Sequence, residues 1–100
     1  MRGIIWGKNI ERARDRLEML IEDYAWIKIK PIRVIKSRNE FLVEFENGDK
    51  WKAIEASERK LGQRSNIALV DIEVDEDIVA CIIKPANSMP PYNALSYFSL

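Results

Sequence analysis

Apolar positions early in the chain recur at the spacing of one helix face: Ile10, Ala13, Leu17, Leu20, Ile21 and Tyr24. This 3.6-residue period predicts a helix from about residue 9 to about residue 26. Asn9 is its natural N-cap, because its side chain can accept from the unpaired amides of the first turn. Before the helix, Gly3-Ile4-Ile5-Trp6-Gly7 is a short apolar run between glycines and reads as a buried strand. After it, Pro31 separates Lys30 from Ile32-Arg33-Val34-Ile35-Lys36, a β-branched stretch suited to a second strand.

Phe41-Leu42-Val43-Glu44-Phe45 and Trp51-Lys52-Ala53-Ile54 form the arms of a hairpin whose connection, Glu46 to Lys50, contains the strong turn signal Asn47-Gly48. A two-residue loop would set Phe45 against Lys50 and Val43 against Lys52, mixing apolar with charged side chains. A three-residue loop sets Phe45 opposite Trp51 and Val43 opposite Ala53 on one face, with Glu44 opposite Lys52 and Glu46 opposite Lys50 on the other. Each such pair contributes roughly 0.2 to 1 kcal/mol, so the longer loop is expected, although Asp49 stands where glycine is usual.

Residues 57 to 66 lack apolar periodicity and read as a loop. Ile67-Ala68-Leu69-Val70-Asp71-Ile72 is an apolar run interrupted by an acid, the pattern of a strand covered on both faces. Asp75 can cap a further helix with Glu76 and Asp77 in its first turn, an apolar face of Ile78, Val79, Ile82 and Ile83, and Pro85 as its end. Because residues 78 to 84 are β-branched, a strand reading of that segment stays open. From about residue 87 the chain reads as a loosely attached tail, where Tyr92, Leu95, Tyr97 and Phe98 pack on the domain or meet a partner. Together these elements predict a single α/β domain, residues 1 to 100, with a mixed sheet flanked by helices.

Composition narrows the chemistry. The 100 residues contain no histidine and one cysteine, Cys81, which excludes Ser-His-Asp and Cys-His catalysis, His-containing zinc sites, disulfides and Cys-rich metal cages within this sequence. A reducing, cytoplasmic setting follows from that composition, and no apolar stretch approaches the ~20 residues a spanning helix needs. The balance of 16 basic against 16 acidic residues conceals a gradient. Residues 1 to 38 hold ten Lys/Arg and five Asp/Glu, a charge of +5; residues 39 to 66 hold five and six, for −1; residues 67 to 100 hold one and five, for −4.

The stretch Phe45-Glu46-Asn47-Gly48-Asp49-Lys50-Trp51, then Gly62-Gln63-Arg64-Ser65-Asn66, then Ile67 through Ile72, resembles the middle of the ATPase core of phage large terminase subunits. In that family an Asn-Gly hairpin precedes an "RGxR" loop, which leads into the Walker B strand and its terminal "DE". Asp77 through Pro85 resembles the short helix that follows. The resemblance covers about residues 40 to 86, and residues 3 to 25 match a preceding strand and helix. It implies a phage or prophage protein in a host-cell cytoplasm, with Asp71 in the position that holds the metal-bound water.

The departures imply lost nucleotide chemistry. A Walker A loop needs G-x-x-x-x-G-K-[ST], so that backbone amides, a lysine and a hydroxyl hold the phosphates and Mg²⁺. Gly3-Ile4-Ile5-Trp6-Gly7-Lys8-Asn9 is one residue short, bulky in its middle and ends in Asn; Ile72 replaces the catalytic Glu, and Leu61 the first loop arginine. The resemblance is thus to a truncated or degenerate relative without NTPase activity.

Three sets of candidate site residues remain. Asp71, Glu73 and Asp75 alternate and would share one face of an extended strand, where carboxylates could hold Mg²⁺; a strand end followed by a helix cap with its acidic first turn is the preferred account of them. A D…E-x-K nuclease set can be assembled from Asp49, Glu58 and Lys60, although the last two fall in the expected loop. Lys8, Arg12, Arg14 and Arg16 crowd a helix start, against the helix dipole, and with Arg64 they are candidates for an anion or an acidic partner. If the resemblance holds, the basic beginning and the acidic Asp71 to Asp77 segment approach each other and pair internally. The expected role is a binding or accessory module without a cofactor, contacting protein or self-associating, with nucleic-acid contacts weak and salt-sensitive and no membrane contact. The alternatives are a metal-dependent enzyme using Asp71 and Glu73, and a structural protein that self-associates through its tail.

Overall fold

The computed structural model describes residues 1–60, 62–90 and 93–100. A six-stranded mixed sheet runs in the order β2-β3-β4-β1-β5-β6, where β1 is Arg2–Gly7, β2 Pro31–Lys36, β3 Glu40–Phe45, β4 Lys50–Glu55, β5 Ile67–Asp71 and β6 Ala94–Phe98. β1 lies between β4 and β5 and is parallel to both, and β5 is parallel to β6. β2, β3 and β4 form an antiparallel meander. The chain is therefore a single α/β domain with a mixed sheet and flanking helices.

α1 spans Ile10–Trp26, and the Asn9 side chain accepts from the Arg12 amide at 2.9 Å, as the sequence predicts. Its buried residues, Ala13 and Leu17, meet Ile5, Phe41, Val43, Phe45, Trp51, Ala53 and Phe98 on one face of the sheet. Truncating Leu17, which has no exposed surface, removes contacts that cost about 2 to 5 kcal/mol to lose. The opposite face carries Ile4, Trp6, Ile54, Ala68 and Val70. It is covered by a continuous helical segment of three parts: α2 (Glu76–Ile78), a π-helical turn (Val79–Ile83) and α3 (Lys84–Ala86). Val79, Ile82 and Ile83 are buried there, which resolves the segment as helix.

Pro85 does not end this helix, which continues to Ala86. The Lys84 amide closes the π turn on the Val79 carbonyl, and the wider turn admits a ring that lacks an N–H and would crowd an ordinary α-turn. Asp75 stands at the N-cap but makes no capping bond through its side chain.

The hairpin register is two residues from the one expected. Val43 faces Trp51, Glu44 faces Lys50, and Leu42 faces Lys52. Each side chain keeps its expected face, since a shift of two preserves the alternation. The turn still has three residues but moves back by one to residues 46–48, with the Phe45 amide donating to the Asp49 carbonyl at 2.8 Å and glycine in last place. Glu46 joins its other neighbour, its amide donating to the Lys30 carbonyl at 2.9 Å and its carboxylate accepting from the Lys30 amide at 3.1 Å. Asp49 accepts from the Tyr24 hydroxyl at 2.7 Å, and Gly48, at φ +95°, turns the chain between them.

Residues 94–98 are no loose tail, because β6 is the terminal strand of the sheet. A buried amide network fixes its approach: Asn87 donates to the Ala94 carbonyl at 2.8 Å, and Asn66 to the Met89 and Pro90 carbonyls at 3.1 and 3.0 Å. Phe98 is buried and Leu95 packs against the core, leaving Tyr97 exposed, while Tyr92 and Leu61 lie outside the described residues.

Candidate functional site

β1 and β5 are adjacent and parallel, but their continuations diverge. Gly7-Lys8-Asn9 leads into α1 on one face, and residues 72–75 lead into the 76–86 helical segment on the other. Such a divergence opens a crevice at the carboxyl ends of the strands, where open α/β sheets bind their ligands. Gly7 makes the first departure possible: a Cβ there would lie 2.5 Å from the Asn9 carbonyl oxygen and 2.7 Å from the Ala13 nitrogen.

Asp71 fills the crevice, with no exposed surface. Its Oδ2 accepts from the Lys8 amide at 3.0 Å and from Arg12 Nε at 2.5 Å. Its Oδ1 accepts from Arg12 Nη2 at 2.8 Å and from the Glu73 amide at 3.1 Å. A carboxylate offers about four acceptor positions, and four donors take them. Burial pushes the Asp71 carboxyl up, but the bonds from Arg12 and the two amides, with the attraction of the guanidinium, outweigh it and hold the pKa at about 2. The same hydrogen bond raises the Arg12 pKa above its ordinary value. The positive start of α1 thus faces a carboxylate of its own chain.

The other metal candidates do not join Asp71. β5 ends at Asp71, so the alternation that would align Glu73 and Asp75 stops there. Glu73 is exposed and lies 3.7 Å from Arg12 Nε. Among the described residues no group of three or more Asp, Glu or Cys side chains is placed to share a metal ion. Asp49 precedes β4 and Glu58 follows it, so the D…E-x-K set is split between opposite ends of a strand. Gly3 to Gly7 is the central strand itself, with Ile4, Ile5 and Trp6 buried, and forms no phosphate loop.

The cation candidates also disperse. Lys8 and Arg12 flank Asp71, whereas Arg14 Nη2 donates to the Ser37 and Arg38 carbonyls, and the Arg16 guanidinium lies 5.9 Å from the Phe98 ring centre. Arg64 sits at the opposite end of the parallel strands, beside Arg2, Lys50 and Lys52 around a cavity. Sequence reasoning missed that cluster because its members come from β1, β4 and the loop before β5, and no local spacing links them. No described helix is long and apolar enough to cross a membrane. The chain matches no family model, no curated protein and no solved structure.

Proposed function

We propose that the protein is a binding or accessory module, related to the terminase ATPase core, in which the strand-end aspartate has become a structural anchor and no longer serves nucleotide chemistry. The saturation of Asp71 carries this reading: a carboxylate with all four acceptor positions filled has none left for a metal-bound water. The neighbouring parallel strands β1 and β5, one leading into a helix and the other ending in Asp, support the family likeness. The reading that goes with that likeness is a phage or prophage protein of a host cytoplasm, with another protein as its partner.

The test is phosphate release from ATP or GTP with Mg²⁺ or Mn²⁺, together with thermal melting in each metal alone. Release at the buffer rate and an unmoved Tm are expected. Hydrolysis above buffer, or a metal-dependent rise in Tm that Glu73→Gln or Asp71→Asn abolishes, would overturn the proposal in favour of a metal-dependent enzyme.

A further inference from the structure

At the amino ends of β1 and β4 the chain builds a second recess, a cavity of about 430 Å³ on the sheet face that the 76–86 helical segment leaves open. Its floor is apolar, with Ile4 and Leu42, and its rim carries Arg2, Lys50, Lys52 and Arg64 against a single carboxylate, Glu44. A chain of zero net charge therefore gathers four of its 16 cations around one opening. Glu44 does not neutralise them, since its Oε1 already lies 3.5 Å from Arg33 and 3.8 Å from Lys50.

Lys52 is the centre of the arrangement. Its side chain is only 28% exposed, its ammonium donates to Gln63 Oε1 at 3.1 Å, and its nearest carboxylate, Glu40, stands 4.0 Å away. An ammonium that is partly withdrawn from water and held by a neutral amide retains most of its attraction for an anion. The two arginines add forked donors that match phosphate oxygens, and the volume falls within the range of small-ligand sites.

We propose that this cavity binds a small polyanion carrying two or more phosphate groups, with Lys52 and Arg64 as its main contacts. The proposal rests on the binding-module reading and names its ligand class. A single nucleic-acid strand is disfavoured because, among the described residues, no exposed ring lines the cavity. Trp51 turns its ring to the α1 face, where it covers Gly3 so closely that a Cβ there would lie 2.4 Å from it.

The probe is inorganic pyrophosphate, followed by thermal melting and by calorimetric titration at low and high salt, without divalent metal. Pyrophosphate is expected to raise Tm and to bind more weakly as salt rises. In Lys50→Ser/Lys52→Ser/Arg64→Ser the apparent Kd should rise at least about tenfold, as loss of charge-assisted bonds requires. The control Lys8→Ser/Lys28→Ser/Lys84→Ser removes the same charge elsewhere and should bind as the parent does. Equal weakening in both triple variants, or no binding by the parent, overturns the cavity assignment. Preference for a thymidine oligonucleotide over pyrophosphate, lost in the cavity variant, overturns the small-ligand assignment. Failure here leaves the ATP hydrolysis assay unchanged, so the two proposals fall separately.

Discussion

The two ends of the parallel strands treat charge in opposite ways. At the carboxyl end, the buried and fully hydrogen-bonded Asp71 carboxylate meets the partly exposed Arg12 guanidinium and ties β5 to the first turn of α1. At the amino end, Arg2, Lys50, Lys52 and Arg64 stand around an open cavity against two carboxylates, Glu44, which also serves Arg33, and Glu40, 4.0 Å from Lys52. In open α/β sheets the carboxyl end is where ligands bind. Here that end is closed by the protein's own side chains, and the unmatched charge lies at the other. The comparison separates ionic groups that hold the fold from ionic groups left for a partner, which a net charge of zero conceals.

The largest effect should come from breaking the closed end. Asp71→Ala leaves the Arg12 guanidinium and two amides without their acceptor and should cost about 3 to 5 kcal/mol in urea unfolding; Arg12→Ala, which leaves the buried carboxylate with two amides alone, should also destabilise. Arg12→Leu/Asp71→Leu, which removes both charges, should recover much of that loss. A double variant as unstable as the worse single would mean that packing, and not the pair, secures this end. The same pair fixes an acid response. The Asp71 pKa is about 2 in the folded chain against an ordinary 3.8, so its contribution is complete above pH 3.8 and is lost as pH falls through 3.8 towards 2. The loss is at most about 2.5 kcal/mol, and it should vanish from the pH profile of the Asp71→Asn variant.

The contrast also explains what the sequence discloses. α1 is legible to within a residue because its apolar face and its Asn9 cap are both local. Asp71 is legible as a strand end, but its partner lies 59 residues away, and the expectation that the basic start and the Asp71 segment meet rests on the family resemblance together with the charge gradient, not on any local spacing. The hairpin faces follow from alternation, yet its register does not, because Tyr24 and Lys30, outside the hairpin, hold Asp49 and Glu46. Pro85 misleads for a related reason: the π turn that accommodates it depends on burying Val79, Ile82 and Ile83 against the sheet. The cavity was invisible because four separate segments supply it, and four cations spread over residues 2 to 64 form no pattern in one dimension.

Two glycines extend the comparison at intermediate magnitude, one at each end of β1. A Cβ at Gly7 would meet backbone atoms of Asn9 and Ala13, which are fixed by the cap and by α1, whereas the atoms nearest a Cβ at Gly3 belong to the Trp51 side chain. Overpacking costs typically about 1 to 3 kcal/mol, with the higher figure expected where backbone must move. Gly7→Ala should therefore destabilise more than Gly3→Ala in chemical unfolding. The reverse order would show the amino end to be the more tightly determined one, contrary to its open cavity.

The smallest effect is expected at the cavity rim. Lys50 is 49% exposed, its ion pair with Glu44 spans 3.8 Å, and Glu44 retains Arg33 when Lys50 is removed. Exposed pairs of this kind contribute roughly 0 to 1 kcal/mol, so Lys50→Ser should leave the unfolding free energy within about 0.5 kcal/mol of the parent. Arg64→Ser should do the same, because its loop position places it on the rim and outside both core clusters. A change near that expected for Asp71→Ala would mean that the rim cations hold the 56–66 loop against the sheet. The amino end would then be structural like the carboxyl end, and the distinction between spent and unspent charge would collapse.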